Sequence, residues 1–545
     1  MLVDARRLEE GHIIQTEVCV IGGGAAGLTL ALTLEERGIQ ACIIESGGFS
    51  AEEANRDLYR GENVGLPYRF SDGQRSRYLG GSSNCWGGWC RPMEEQDFHQ
   101  RDWFPYSGWP ITKADLKPYY DKSRDILKLG PPRFDVPYWV QAINRPNVRR
   151  HPFVGNDVVD FISQFSPPVR FGVDYREQIE SAKHVTIYLN TNAVNIATDG
   201  GDVVRRVELK TLTGRRASVE AKIFVLATGG IENPRLLLAS NKDRPAGLGN
   251  QHDLVGRFFM EHPRMTTGYV NFRPGWSDNL LYDMKYHYHN HHVSAHGICI
   301  AAQFGLSVET RAREGLLNTS VRLDSVFVGE RSGVKESLVN IKRRLTGAEP
   351  PTHSLRQGLK TLATHPLQTV GFVAARGLRW RSLIECTRFQ IIAEPTPDPS
   401  SRVMLSAQRD QLGMPRVKVD WRVGAQTKRT IDRTLALVAE EFKRAGVADV
   451  TLDPSIEDHG WPDTFETEGC WHHMGTTRMH HSAKQGVVDQ HCRVHDTANL
   501  YVAGSSVFPT AGGDFPTITI VALALRLADH IETVLAAPSP RLVTV

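Results

Sequence analysis

Gly22, Gly24 and Gly27 carry the first legible chemistry of the chain. They sit in Gly22-Gly-Gly-Ala-Ala-Gly27, directly after the apolar run Glu17-Val-Cys-Val-Ile21 and at the head of an amphipathic run to Arg37. That spacing supplies a tight turn, a close backbone approach to a pyrophosphate and a close helix-strand contact, with the helix N-terminus adding a positive dipole. Glu45 ends the next apolar run, Ala41-Cys-Ile-Ile-Glu45, where a carboxylate accepts hydrogen bonds from an adenosine ribose. Together with Ala26 and Ser46 these residues form a candidate dinucleotide site. They leave FAD and NAD undecided.

Other chemistry-bearing residues are less committed. His287, His289 and His291 alternate, so a strand would place all three on one face, a geometry able to hold zinc or copper. No cysteine or carboxylate pattern accompanies them, so no metal is expected. Rings lining a pocket for a polyhydroxylated ligand is the better reading. The eight cysteines are scattered without CxxC or CxxCH, which points to a reduced, cytoplasmic protein. Between residues 331 and 381, ten Lys or Arg face only Glu336 and Glu349. Val334, Leu338, Ile341 and Leu345 follow a helical period there. A solvated basic helix face is the ordinary reading; a surface for an anionic substrate group, a membrane or an electron-transfer partner is the alternative.

Elements must position these groups. Residues 17 to 45 read as a βαβ unit. Thr112-Lys-Ala-Asp115 has the form of a capping box opening a helix. Val185 to Val225 reads as a meander cut by Asp199-Gly-Gly-Asp and Thr213-Gly-Arg-Arg. Glycine signatures vanish between about 266 and 464 and return after 465, so a cofactor domain built from separated pieces, with an insertion between them, is expected. At 545 residues the chain exceeds one hydrophobic core. A formal charge of +3 with 23% charged residues excludes a nucleic-acid-coating protein. Charges near Met1 argue against an export signal. The longest apolar stretch, Ile518 to Leu525, is broken by Thr519 and stopped by Arg526, well short of the roughly 20 residues of a membrane span.

Four further segments carry a resemblance. Leu79-Gly-Gly-Ser-Ser-Asn-Cys-Trp-Gly-Gly-Trp-Cys-Arg-Pro92, Ala227-Thr-Gly-Gly-Ile-Glu-Asn-Pro-Arg-Leu-Leu-Leu-Ala-Ser240, His472-His-Met-Gly-Thr-Thr-Arg-Met479 and Asn499-Leu-Tyr-Val-Ala-Gly-Ser-Ser-Val-Phe-Pro-Thr510 resemble, in order and spacing, the glucose-methanol-choline (GMC) flavoenzymes. The wording is most like that of bacterial sugar and polyol dehydrogenases and pyranose oxidases. The resemblance implies FAD. It places Gly81, Ser82, Asn84, Cys85, Trp86 and Gly87 along the flavin, with Ala227, Gly229, Gly504, Ser505, Phe515, Pro516 and Thr517 around it. It also implies a histidine base, matching His472, that takes a hydroxyl proton as hydride passes to flavin N5. His473 is the lesser candidate.

Two positions depart from the family pattern. The family sets a histidine or asparagine before the C-terminal helix, where it shares the substrate hydroxyl with the base. Here Gly512-Gly-Asp-Phe-Pro-Thr517 puts Phe515 at that place, and a phenyl ring cannot hydrogen-bond in this way. Asp514 is the replacement candidate, able to stabilise an imidazolium. Cys85 stands where pyranose oxidases carry the histidine bonded to the flavin; a non-covalent flavin is the default.

The expected fold is α/β, α+β overall, with a Rossmann-like FAD-binding domain (1–130, 181–265 and 465–545) and an inserted antiparallel-sheet and helix substrate domain (131–180 and 266–464). The expected activity is oxidation of a hydroxyl-bearing carbon of a sugar or glycoside. A secondary-metabolite alcohol and a non-redox lyase or isomerase reaction are the alternatives. Oxygen, a quinone or a carrier protein could reoxidise the flavin. No nucleic acid partner is expected, and an oligomer is open.

Overall fold

The computed structural model describes residues 1–68, 70, 74–283, 294–330, 332–346, 354–378, 381–462, 465, 470–513 and 515–537. Its first sheet grows from the expected βαβ unit. The strand His12–Ile21 leads through the glycine turn into the helix Ala25–Glu36 and back along the parallel strand Ala41–Ile44. Cys19 and Cys42 meet across that pair as small buried residues. Outward from Ala41–Ile44 lie the parallel strands Val185–Leu189 and Leu2–Asp4. On the other side His12–Ile21 pairs in parallel with Arg216–Leu226.

Arg216–Leu226 divides the sheet edge. Its first half pairs antiparallel with Val203–Lys210, which pairs with Asn192–Asp199; its last three residues pair in parallel with Leu500–Val502. The meander expected from 185 to 225 is therefore present, although its first strand joins the parallel side. Ile21, Ile44, Leu226 and Val502 end these strands in register, which opens a crevice at their C-terminal edge, the usual ligand position in such sheets.

A second, antiparallel sheet runs Ala448–Thr451, Arg264–Phe272, Ile384–Ala393, Thr319–Phe327, Ile298–Leu306, Val158–Phe165 and Trp89–Cys90. The 20-residue helix Ala425–Arg444 covers one face, with Phe304, Phe389, Val438 and Phe442 in the core between them. Ser320 to Asp324 of the strand Thr319–Phe327 alternate polar and apolar residues as in a half-exposed strand, yet all nine residues of the strand are buried. From this strand Arg322 reaches the cavity at the crevice of the first sheet, while Ser320 and Ser325 are bonded to Gln303 and Asp283. Trp89–Cys90, from the glycine-rich segment, belongs to this second sheet by pairing with Phe165 and Gln164. Thr112 caps Lys113–Ile126 with the capping box read from sequence. No helix among the described residues is long and apolar enough to cross a membrane.

Candidate active site

The crevice deepens into a cavity of about 470 Å³ that runs from Glu45 past Gly22–Ala26 to Trp89, His472 and Phe515. Glycine is required at its cofactor end for steric reasons. Gly22 has φ +109°, and a Cβ there would stand 2.6 Å from the Ala227 carbonyl oxygen; a Cβ at Gly27 would stand 2.0 Å from that of Gly22. Gly24 begins the helix Ala25–Glu36 without a capping side chain, so its first amides are open to a ligand. The Glu45 carboxylate accepts from the amides of Gly23 (2.8 Å) and Gly47 (2.9 Å), and burial pushes its pKa up.

The Gly81–Asn84 turn crosses this region so closely that a Cβ on Gly81 would meet Gly24 Cα at 2.8 Å. Ser82, Cys85, Trp86 and Gly87 line the cavity, as do Ala26, Ser46, Ala227, Gly229, Gly504, Ser505, Phe515, Pro516 and Thr517. Two sequence candidates do not line it. Gly27 lies behind the turn, and Asn84 donates to the Leu79 carbonyl at 3.0 Å, holding the loop. Cys85 donates its thiol proton to Ser82 O at 3.3 Å, and burial pushes the thiol pKa up. Asp514 and the histidines 287, 289 and 291 lie outside the described residues. Among the described residues no His, Cys, Asp or Glu group is arranged to hold a metal.

His472 owes its position to an antiparallel bridge. The Met260 and Met474 backbones exchange two 3.0 Å hydrogen bonds, which sets residue 262 opposite residue 472. Trp471 takes φ +60° at the entry to this segment, a conformation uncommon for a bulky residue. His472 Nδ1 then lies 2.9 Å from His262 Nδ1, and His262 Nε2 lies 2.8 Å from the Gly512 carbonyl.

These contacts fix the tautomers. A carbonyl only accepts, so His262 carries its proton on Nε2 and accepts at Nδ1. His472 therefore donates from Nδ1, and its Nε2 keeps a lone pair with no protein partner among the described residues. Burial holds His262 down to about 4, and burial together with His262 and the cations Arg264 and Arg322 holds His472 well below the usual imidazole range. Both rings are neutral at neutral pH. Gly512 is anchored in turn, its amide donating to Glu394 Oε1 (3.1 Å), a carboxylate clamped by Arg101 through two 2.9 Å bonds.

His473 borders the cavity, but its ring is committed elsewhere. Its Nε2 meets Tyr68 Oη at 2.6 Å and its ring stacks on Phe259, while burial lowers it to about 3. Beside it lies Glu261, 3.8 Å from His473 Nε2. Its oxygens close no hydrogen bond of ordinary geometry, although the amides of His472, Trp471 and Cys470 face them, and burial raises it to about 8.

Phe515 completes an aromatic wall. It stacks on Trp89 (5.0 Å between centroids) and meets His472 edge-on (5.7 Å), with the Arg322 guanidinium 4.7 Å above Trp89. Arg264 and Arg322 both line the cavity. Sequence reasoning missed His262, Arg264, Arg322 and Trp89. The only local signal for His262 was a charged Glu261-His-Pro-Arg264 following the apolar Phe258-Phe-Met260.

The glycine cradle, the open helix start, Glu45 and the length of the cavity fit FAD. Comparison with known proteins agrees. Residues 17–282 match the family model described as FAD dependent oxidoreductase, and residues 397–524 match that of GMC oxidoreductase. The fructose dehydrogenase large subunit of Gluconobacter japonicus is 27% identical over 78% of this chain and 67% of its own. The 2-methyl-1,2-propanediol dehydrogenase of Mycolicibacterium austroafricanum is 23% identical over 95% of each. A formate oxidase from Aspergillus oryzae RIB40 has the same fold, with a TM-score of 0.56 at 16% identity over 96% of this chain and 99% of its own. The chain is an FAD-dependent oxidoreductase whose C-terminal segment, residues 397–524, is a GMC oxidoreductase domain.

Proposed function

We propose that this enzyme oxidises a hydroxyl-bearing carbon of a sugar or glycoside to a carbonyl, with His472 as the base. FAD, when bound, supplies the acceptor for the hydride leaving the carbon. His472 Nε2 takes the hydroxyl proton, the C–H hydrogen leaves with both electrons of its bond as the hydride, and the O–H bonding pair becomes the second bond of the C=O group. The observation that carries this reading is the tautomer lock: His262, itself fixed by the Gly512 carbonyl, leaves a neutral imidazole nitrogen with a free lone pair at the cavity wall. His262 does not replace the partner that the family sets before the C-terminal helix. Its second nitrogen is committed to backbone, so it steadies the base rather than sharing the substrate.

The stacked Trp89–Phe515 pair supports the substrate class, because an aromatic face suits the C–H face of a pyranose or furanose ring. The named substrate of the Gluconobacter relative points the same way. A small non-sugar diol is the second reading, favoured by the Mycolicibacterium relative. The uncapped start of the helix Thr517–Ala536 borders the cavity and would favour negative charge there.

Anaerobic titration with sugars, glycosides and diols tests the proposal. Bleaching of the oxidised flavin by one sugar class supports it. His472→Ala should slow that bleaching by about 10²- to 10⁴-fold with FAD retained. A bound flavin that no alcohol reduces would sink the proposal and revive a non-redox reaction.

A further inference from the structure

The basic stretch noted in the sequence forms a helical insertion between two neighbouring strands of the second sheet, Thr319–Phe327 and Ile384–Ala393. Helices Val334–Thr346, Leu355–Thr364 and Pro366–Leu378 pack on one another there, burying Val334, Ser337, Asn340, Gly358, Phe372 and Ala375. Their outer side is not merely polar. Leu355 is 45% exposed, Leu359 52%, Leu367 83%, Val370 68% and Val373 55%. These are five of the seventeen exposed large hydrophobics among the described residues, and Leu367 is the most exposed of all. Aliphatic residues scattered singly over a surface need no explanation, but such a cluster does. The spacing of Leu355 and Leu359, and of Leu367, Val370 and Val373, aligns each set along one side of its helix.

Charge decides what covers this surface. Residues 332–378 hold seven Lys or Arg and two Glu, a net +5, whereas the whole chain is only +3. The remainder is therefore net negative. Arg356 and Lys360 are exposed beside Leu355 and Leu359 and make no ion pair among the described residues. A second copy of this chain docked face to face would set +5 against +5. An anionic bilayer takes the cations at its headgroups and the leucines and valines at the acyl boundary, while repelling the rest of the molecule. We infer that this insertion docks the enzyme, peripherally and in one orientation, on an anionic lipid surface. The insertion lies in the interface rather than across it, since none of its described helices is long and apolar enough to span a bilayer.

The holoenzyme should co-sediment with mixed phosphatidylglycerol–phosphatidylcholine vesicles and much less with phosphatidylcholine alone, and added salt should weaken the binding. In the double variant Leu367→Asp/Val370→Asp, partitioning should fall about a hundredfold. Both side chains are exposed, so the flavin spectrum and thermal midpoint should not move. Arg356→Gln/Lys360→Gln should lower partitioning by roughly tenfold or more. The inference is overturned if the holoenzyme stays in the supernatant with both vesicle types, if it binds them equally, or if the variants partition like the parent. It is also overturned if L367D/V370D instead dissolves a dimer, which assigns the face to a second copy.

Discussion

Replacing His262 is the sharpest test of the proposed base, because its two nitrogens do separate jobs that different substitutions remove or keep. His262→Leu fills most of the ring's space but offers nothing to the Nδ1–H of His472, now 2.9 Å from its acceptor. A buried donor left unpaired costs about 1–3 kcal/mol. The ring can relieve that cost by moving its proton to Nε2, which removes the lone pair that takes the substrate proton. A bias of that size lowers the competent fraction by about 10- to 100-fold. His262→Gln is the control, because a carboxamide can accept from His472 and donate to Gly512 O at once. The assay is anaerobic stopped-flow reduction of the bound flavin by the best substrate, with FAD content and thermal midpoint measured alongside. Leu should reduce the rate constant by that factor and Gln should restore most of it. In the parent, the rate should hold above about pH 5 and fall as pH drops through about 4, where His262 protonates and turns its accepting nitrogen into a second donor. That limb should move in His262→Gln. Equal rates in the parent and His262→Leu, or a Gln variant as slow as Leu with FAD in place, would refute the reasoning.

Glu261 is raised to about 8 by burial, so the folded protein keeps its proton while the unfolded chain, near the ordinary glutamate value of 4.5, loses it. Stability contributed by this group is therefore complete below about pH 4.5 and drains away as pH rises to 8. Glu261→Gln should raise urea stability at pH 8 by roughly 2–4 kcal/mol and flatten the alkaline slope; an unchanged slope would count against a neutral Glu261. His473→Asn removes the contact to Tyr68 and the stack on Phe259. Unfolding assays should register a loss of about 1–3 kcal/mol, with flavin reduction within a few-fold of the parent; a rate as low as that of His472→Ala would make His473 the base instead.

What the sequence disclosed and what it hid divide along contact range. The turn at Gly22–Gly27, the strand before it and the cap at Thr112 were legible because their causes lie within a few residues: a missing Cβ, an apolar run, a Thr hydroxyl three positions from its amide. Cavity residues reached through the family segments were legible as a group, although Asn84 holds its own loop rather than lining the cavity. The pairing of His262 with His472 was not, because it follows from a single bridge between segments more than 200 residues apart. In the sequence Phe515 stands only as a ring that cannot supply the hydrogen bond of the family's usual partner. In the fold it is half of a stacked pair with Trp89, whose strand joined a sheet that its own glycine-rich neighbourhood did not announce.

The strand Leu500–Val502 closes the first sheet beside Phe224–Leu226, and that has a consequence for biogenesis. The glycine turn leaves the ribosome hundreds of residues ahead of the opposite wall, with His472, Ser505 and Thr517. A nascent chain thus carries the cradle long before it can hold the cofactor, and whatever stability FAD lends by mass action arrives only after the C-terminal segment has been threaded home. Flavin supply in the cell should accordingly govern how much finished chain survives, and should have little bearing on how fast the earlier parts fold.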